Sequence, residues 1–126
     1  TKQCIAGKQA LVTQQSWTKQ DCQQWIWKAG QAGYLQLQNS QSSQLCLQVK
    51  QDALAAGAEL QLGDCETKSS QWALQVLENG AFSLFSPHTK HWVDVPACSL
   101  FDDVNLKQAP ASADSLCQQF QLRAAD

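Results

Sequence analysis

An aromatic residue preceded by glutamine recurs along the chain at intervals of 47 and 48 residues. The three occurrences are Gln23-Gln24-Trp25, Ser70-Gln71-Trp72 and Gln118-Gln119-Phe120. A period of this length indicates an internal repeat, in which each copy needs its neighbours to bury an apolar face. The repeat divides the 126 residues into three units, roughly 1–30, 31–77 and 78–126, within a single domain.

Short segments in which apolar and polar residues alternate lie between these aromatic markers. Alternation with a period of two is typical of strands with one buried face. Turn residues such as Gly33, Gly57 and Asn79-Gly80 separate the segments. The predicted strands are 34–37, 45–49, 59–62, 72–76, 82–85, 92–95, 104–106 and 120–122. Three units of about four strands each predict an all-β chain folded as a β-trefoil, a six-stranded barrel capped by three hairpins.

Glutamine is the most overrepresented residue, at 21 of 126 positions, and it alternates with apolar residues instead of forming runs. This pattern excludes a polyglutamine tract. It predicts that the glutamines form the outward, uncharged face of the strands. The marker aromatics are expected in a shared buried layer, with one of Trp25 and Trp27 exposed.

Charge and motifs exclude several classes of function. Nine Lys+Arg against eleven Asp+Glu give a net charge of −2, which argues against a nucleic-acid partner. No apolar run approaches the roughly 20 residues of a membrane-spanning helix, so no membrane insertion is expected. No G-x-S-x-G elbow frames a nucleophile, and Asp102-Asp103 would point to opposite faces. Neither an enzyme nor a cofactor is expected, and the missing methionine indicates a processed or excised domain.

The cysteines stand at positions 4, 22, 46, 65, 98 and 117, so that sequential neighbours are 18, 19 and 19 residues apart. No C-x-x-C pair is present, which favours disulfides over a zinc site. Six cysteines allow 15 connectivities, and the sequential pairs Cys4–Cys22, Cys46–Cys65 and Cys98–Cys117 are one hypothesis among them. Disulfides predict an extracellular or lumenal compartment.

The repeated markers and the strand Leu45-Cys46-Leu47-Gln48-Val49 resemble the ricin-type (R-type) lectin trefoils, whose repeats carry Gln-x-Trp and a Cys-Leu-Asp-Val-like strand. The chain also resembles the cysteine-rich domain of the mannose-receptor family, including the secretory phospholipase receptor, through Cys4-Ile5-Ala6-Gly7-Lys8, Trp25-Ile26-Trp27 and Leu62-Gly63-Asp64-Cys65. The resemblance implies a Cys46–Cys65 disulfide in a hairpin. Because only three residues precede Cys4, the first unit is expected to be truncated, its leading strand missing or its barrel locally open.

The resemblance also implies shallow sugar sites, in which a carboxylate or amide bonds hydroxyls while a ring packs on the sugar's C–H face. In the third unit Asp94 matches the acid, and the other candidate ligands are Asn105, Lys107 and Gln118, with Lys107 at the position of the hairpin aromatic. Trp92 stands where the repeat has a cysteine and is expected to pack. The second-unit site is expected to be silent, since Gln48 replaces the acid and Gly63 the ring.

These features imply a non-catalytic carbohydrate-recognition domain for galactose or N-acetylgalactosamine glycans, secreted or part of a receptor ectodomain. The expected partner is a glycan or glycoprotein. Sulfated sugars fit the third unit poorly, because Asp102-Asp103 would repel a sulfate and Cys117 replaces the tryptophan of sulfate-binding relatives. The alternative is a trefoil with decayed sugar sites that binds a protein partner or neighbouring domains.

Overall fold

The fold is all-β, as the alternation predicts. A computed structural model describes residues 13–14, 24–40, 44–78, 80–96, 104–111 and 118–120, and no α-helix occurs among them. The strands are β1 (Thr13–Gln14), β2 (Trp25–Ala29), β3 (Leu35–Asn39), β4 (Leu45–Val49), β5 (Leu60–Asp64), β6 (Ala73–Val76), β7 (Phe82–Ser86), β8 (His91–Asp94), β9 (Val104–Asn105) and β10 (Lys107–Ala109). Short 3-10 turns follow β4 at Lys50–Asp52 and β5 at Lys68–Ser70. Strands β3 to β9 begin within one residue of the predicted starts.

Two four-stranded antiparallel sheets repeat the same connectivity. One sheet has the order β2-β3-β4-β5, and the other has the order β6-β7-β8-β10. Strand β1 pairs with β9 in a separate two-stranded ladder. The first turn of each sheet contains a glycine at φ +84, Gly33 and Gly80, a backbone conformation that side chains with a Cβ disfavour. The two glycines are 47 residues apart, so the turns keep the period of the aromatic markers.

The marker aromatics close the sheets by pairing backwards along the chain. Trp72 exchanges two backbone hydrogen bonds of 2.8 Å with Leu35, and Phe120 exchanges two of 2.7 Å with Phe82. Trp72 is completely buried, and its indole Nε1 donates to the carbonyl of Leu47 at 3.0 Å. Trp72 and Phe120 therefore each pair with the strand that follows the first turn of their own unit.

The core is one cluster formed by both sheets. Its buried members are Leu37, Leu47, Val49, Leu60, Trp72, Phe82, Leu84 and Val93. Trp25 and Trp27 both pack against this cluster, and the Trp27 ring meets Phe82 edge-on at 5.7 Å. The expectation that one of the two tryptophans is exposed is wrong, because residues two apart on a strand share a face. Ile26 between them is the exposed residue, at 47%.

Several glutamines lie inside the fold, so the prediction that glutamines line the outer face is wrong for these positions. The buried ones are Gln36, Gln48, Gln61, Gln108 and Gln118. An amide can be buried at little cost when its hydrogen bonds are made inside the protein. Gln108, at 1% exposure, donates its side-chain nitrogen to the carbonyls of Ala53 and Ala55 at 2.9 and 2.7 Å.

A buried glutamine faces a buried serine at equivalent places in both sheets, with the two residues exchanged. In the first sheet the Gln36 amide nitrogen donates to the Ser70 hydroxyl at 3.2 Å and to the carbonyl of Cys65. In the second, the Ser83 hydroxyl donates to the backbone carbonyl of Gln118 at 2.7 Å. The pairing of Leu35 with Trp72 and of Phe82 with Phe120 makes position 36 equivalent to 83 and position 70 equivalent to 118.

The Cys46–Cys65 disulfide is present, with a Cα–Cα distance of 5.1 Å, and it links the ends of the β4–β5 hairpin as the resemblance implies. The other cysteines, at positions 4, 22, 98 and 117, lie outside the described residues, and so does the first unit before residue 24 except for Thr13–Gln14. No helix in the described part of the chain is long and apolar enough to cross a membrane.

Candidate functional site

Three ionisable residues occupy neighbouring positions across the strands of the third unit. Asp94 in β8 lies directly opposite Lys107 in β10, and Lys107 pairs on its other side with Glu59, which precedes β5. Side chains directly opposite one another in an antiparallel pair project to the same face. Glu59, Lys107 and Asp94, all half-buried, therefore form a charged row with an ammonium group between two carboxylate positions. Such a row offers both acceptors and a donor to a polyhydroxylated ligand.

Two aromatic rings lie on the same face as the charged row. Trp92 is two residues from Asp94 on β8, so both side chains project from one side of the sheet. Trp92 pairs across the ladder with Phe85, and their ring centroids are 4.9 Å apart at an interplanar angle of 53°. Both rings are half-buried. The face around Asp94 therefore combines hydrogen-bonding groups with aromatic surface.

Asn105 is tied to one end of the charged row. Its amide nitrogen donates to Glu59 Oε2 at 2.6 Å, a short hydrogen bond to a charged acceptor. This bond joins β9 of the third unit to the residue that precedes β5 in the second unit. It also makes Asn105 a group that orients the Glu59 carboxylate.

Gln118 does not share the surroundings of the other candidates. Its side chain is buried at 6% exposure, and the amide nitrogen donates to the carbonyl of Pro110 at 2.9 Å. These contacts commit the side chain to holding the loop after β10. Of the four predicted ligands, strand pairing brings Asp94 and Lys107 together. Asn105 is connected to them through its hydrogen bond to Glu59. The Gln118 side chain instead makes a structural hydrogen bond to Pro110.

The strand registers of the second and third units show that Lys107 does not occupy the position of the hairpin aromatic. Gly63 lies opposite Cys46 in the second unit, and Ala109 lies opposite Trp92 in the third. The residue equivalent to Gly63 is therefore Ala109, and Lys107 is equivalent to Gln61, which lies opposite Gln48. The assignment of Lys107 was therefore wrong by two residues, because the buried Gln108 stands where the second unit has the apolar Leu62.

In the second unit, glutamine side chains fill the corresponding site. Gln61 donates its amide nitrogen to Gln48 Oε1 at 2.8 Å, and Gln48 donates its own to Thr67 Oγ1 at 2.7 Å. Both glutamines are buried. A Cβ on Gly63 would clash with the Gln48 amide, so an aromatic side chain there has no space while Gln48 keeps this position.

Gly63→Ala is expected to lower the free energy of unfolding by about 1–3 kcal/mol, because the added methyl group must displace the Gln48 amide from its hydrogen bonds. Urea unfolding followed by tryptophan fluorescence measures the change. In a Gln48→Ala background the same substitution should cost clearly less, since the clashing atoms are gone. An equal cost in both backgrounds would contradict the steric explanation.

The sequence matches a known protein-family model over most of its length. The model of the ricin-type beta-trefoil lectin domain-like family matches residues 2–63 and 21–109. No curated protein sequence matches the chain significantly.

Solved structures match most of the chain. The crystal structure of a designed 3-fold symmetric protein, ThreeFoil, superimposes with a TM-score of 0.85 at 28% identity, covering 91% of this chain and 81% of that one. An exo-beta-1,3-galactanase from Clostridium thermocellum matches with a TM-score of 0.76 at 22% identity, covering 82% of this chain and 22% of that one. A mosquitocidal holotoxin matches with a TM-score of 0.81 at 12% identity, covering 91% of this chain and 14% of that one. The chain thus spans a small part of the last two proteins, and the predicted β-trefoil is confirmed.

Proposed function

The chain belongs to the ricin-type β-trefoil lectin-like family, and from that premise we propose that it is a non-catalytic carbohydrate-recognition domain whose working site is the face around Asp94 in the third unit. The single observation that carries the proposal is the position of Asp94 in the charged row, beside half-buried aromatic rings. The proposed ligands are galactose or N-acetylgalactosamine glycans of a glycoprotein, bound weakly in a shallow site. The proposed setting is a single domain of three units in a secreted protein or a receptor ectodomain, close to the mannose-receptor family.

A difference between the two described sites supports the third unit as the proposed binding site. In the second unit the positions equivalent to Asp94 and Lys107 hold Gln48 and Gln61, whose amides bond each other. A ligand hydroxyl would have to break that bond, and the cost of leaving a buried amide unpaired is about 1–3 kcal/mol. In the third unit the same two positions carry half-buried charged groups. The carboxylate of Asp94 can accept from sugar hydroxyls without the loss of an amide pair.

The net negative charge of the charged row favours an uncharged ligand. Glu59 and Asp94 flank Lys107, so the row carries one more negative than positive group. An anionic sugar would meet like charges there, which weakens binding. The proposed ligand is therefore a neutral glycan, in keeping with the poor fit of sulfated sugars.

Asp94→Ala is expected to lower the affinity for a neutral galactoside by roughly 10- to 100-fold, because a hydrogen bond to a charged acceptor contributes about 1.5–3 kcal/mol. A glycan array with neutral and sulfated galactosides identifies the ligand, and titration calorimetry measures the loss. Glu78→Ala, which removes the same charge from an exposed turn, is the matched control and should bind like the wild type. Undiminished binding by Asp94→Ala would overturn the assignment of the site.

A second candidate function is recognition of a protein by a trefoil whose sugar sites have decayed. The observation that favours it is the exposed apolar side of β6, where Val76 is 70% and Leu74 is 36% exposed. Residues two apart on a strand share a face, so the two side chains form one small patch. A blank glycan array would support this second candidate.

A further inference from the structure

We propose that the ring that stacks on the sugar in the third unit is Trp92, supplied by β8 rather than by the closing strand of the hairpin. The inference rests on the proposed function, and it names the residue that recognises the apolar face of the ligand. It also limits the ligand class to neutral pyranosides with a continuous C–H face.

The cross-strand pairing gives the first argument. Trp92 lies directly opposite Ala109, so the two positions of this pair hold one large ring and one methyl group. In the second unit the same pair is Cys46 and Gly63, and Cys46 is engaged in a disulfide. The third unit is therefore the described unit in which this pair carries an aromatic ring. Ala109 takes up little of the space next to the indole.

The distance along the strand gives the second argument. Residues two apart on a strand are separated by roughly 6–7 Å and project to one face. That separation lets one sugar pack its C–H face on the Trp92 ring while its hydroxyls reach the Asp94 carboxylate. Lys107 lies directly opposite Asp94 and diagonally across the ladder from Trp92, so its ammonium group can donate to an oxygen of the same sugar.

The contact with Phe85 gives the third argument. The two ring centroids are 4.9 Å apart, within the range of favourable aromatic pairs. Phe85 supports the indole from β7 and restricts its rotamers, so less conformational entropy is lost when a ligand binds. The Trp92 side chain nevertheless keeps part of its surface exposed, and it projects from the same face of β8 as Asp94.

The test follows the indole N–H resonances of the protein, labelled with 15N, during titration with methyl β-galactopyranoside. Five tryptophans give five such resonances, and a Trp92→Phe variant identifies the one from Trp92. We expect the Trp92 resonance to shift with the ligand. Trp92→Leu should lower the affinity roughly tenfold because it removes the flat ring, whereas Trp92→Phe should stay within about threefold.

The outcomes separate this inference from the function on which it rests. If Asp94→Ala loses binding while Trp92→Leu keeps it and the Trp92 resonance does not move, Trp92 is not the ring and the lectin function stands. If the wild type binds no neutral pyranoside at millimolar concentration, the proposed function fails and the inference fails with it. The affinity of Trp92→Leu is interpreted only if the variant is folded, with a melting temperature within a few degrees of the wild type. If it is not, the shift of the Trp92 resonance in the wild type decides the matter: no shift at saturating ligand would overturn the inference.

Discussion

Trp72→Ala is expected to lower the free energy of unfolding by about 3–5 kcal/mol, the range for truncation of a buried large aromatic side chain. The indole is completely buried in the core cluster, and its nitrogen donates to the carbonyl of Leu47. The substitution therefore leaves a large cavity and removes the hydrogen bond that the Leu47 carbonyl accepts from the indole. Because the backbone of Trp72 also pairs with Leu35, loss of the side chain should loosen the first turn of the preceding sheet.

Thermal and urea unfolding, followed by circular dichroism, measure this loss. Trp72→Phe retains most of the apolar volume and should cost less than the alanine variant. Ile26→Ala removes an apolar side chain that is 47% exposed and is the control for a surface position, with a change expected below about 1 kcal/mol. An alanine variant of Trp72 that unfolds at the wild-type urea concentration would show that this residue does not anchor the core.

Removal of the described disulfide is expected to have the next largest effect on stability. The bond closes a loop with a sequence separation of 19, for which loop-closure entropy predicts a loss of about 3 kcal/mol in the Cys46→Ala/Cys65→Ala double variant. Cys46 is itself completely buried, so its replacement by alanine adds a small packing loss.

Urea unfolding distinguishes the cross-link from packing. A cross-link restrains the unfolded chain, so its removal should lower the midpoint and also raise the dependence of stability on urea, since more surface becomes exposed. A packing control is Val93→Ala, which truncates a buried side chain outside the loop and should lower the midpoint alone. Equal urea dependence in the wild type and the double variant would contradict an effect through the unfolded state.

The fold could be predicted from sequence because its signals are local or periodic. Alternation locates strands β3 to β9 to within one residue at their starts, since a strand with one buried face must alternate. The spacing of Trp25, Trp72 and Phe120 gives the repeat. Gly33 and Gly80 mark equivalent turns because both need a positive φ.

The site was harder to predict because its arrangement depends on register between distant strands. Glu59 was missed, since nothing near it in the sequence indicates that it pairs with Lys107, 48 residues away. Lys107 was placed two positions out of step because a buried glutamine, Gln108, interrupts the apolar pattern of its strand. The burial of amide side chains in particular could not be predicted from the sequence. The same side chain is an outward polar group on one strand and an internal hydrogen-bond donor on the next.

The polar residues at equivalent interior positions differ between the two sheets. Gln36 faces Ser70 in one sheet, while Ser83 and Gln118 occupy the reversed positions in the other. The Ser83 hydroxyl meets the backbone carbonyl of Gln118, whose side chain donates to the carbonyl of Pro110 instead. A serine in place of Gln36 would lose the hydrogen bonds to Ser70 and Cys65 and leave a void in the first sheet. The two sheets share their strand order, but a segment of one cannot replace the equivalent segment of the other without loss of interior contacts.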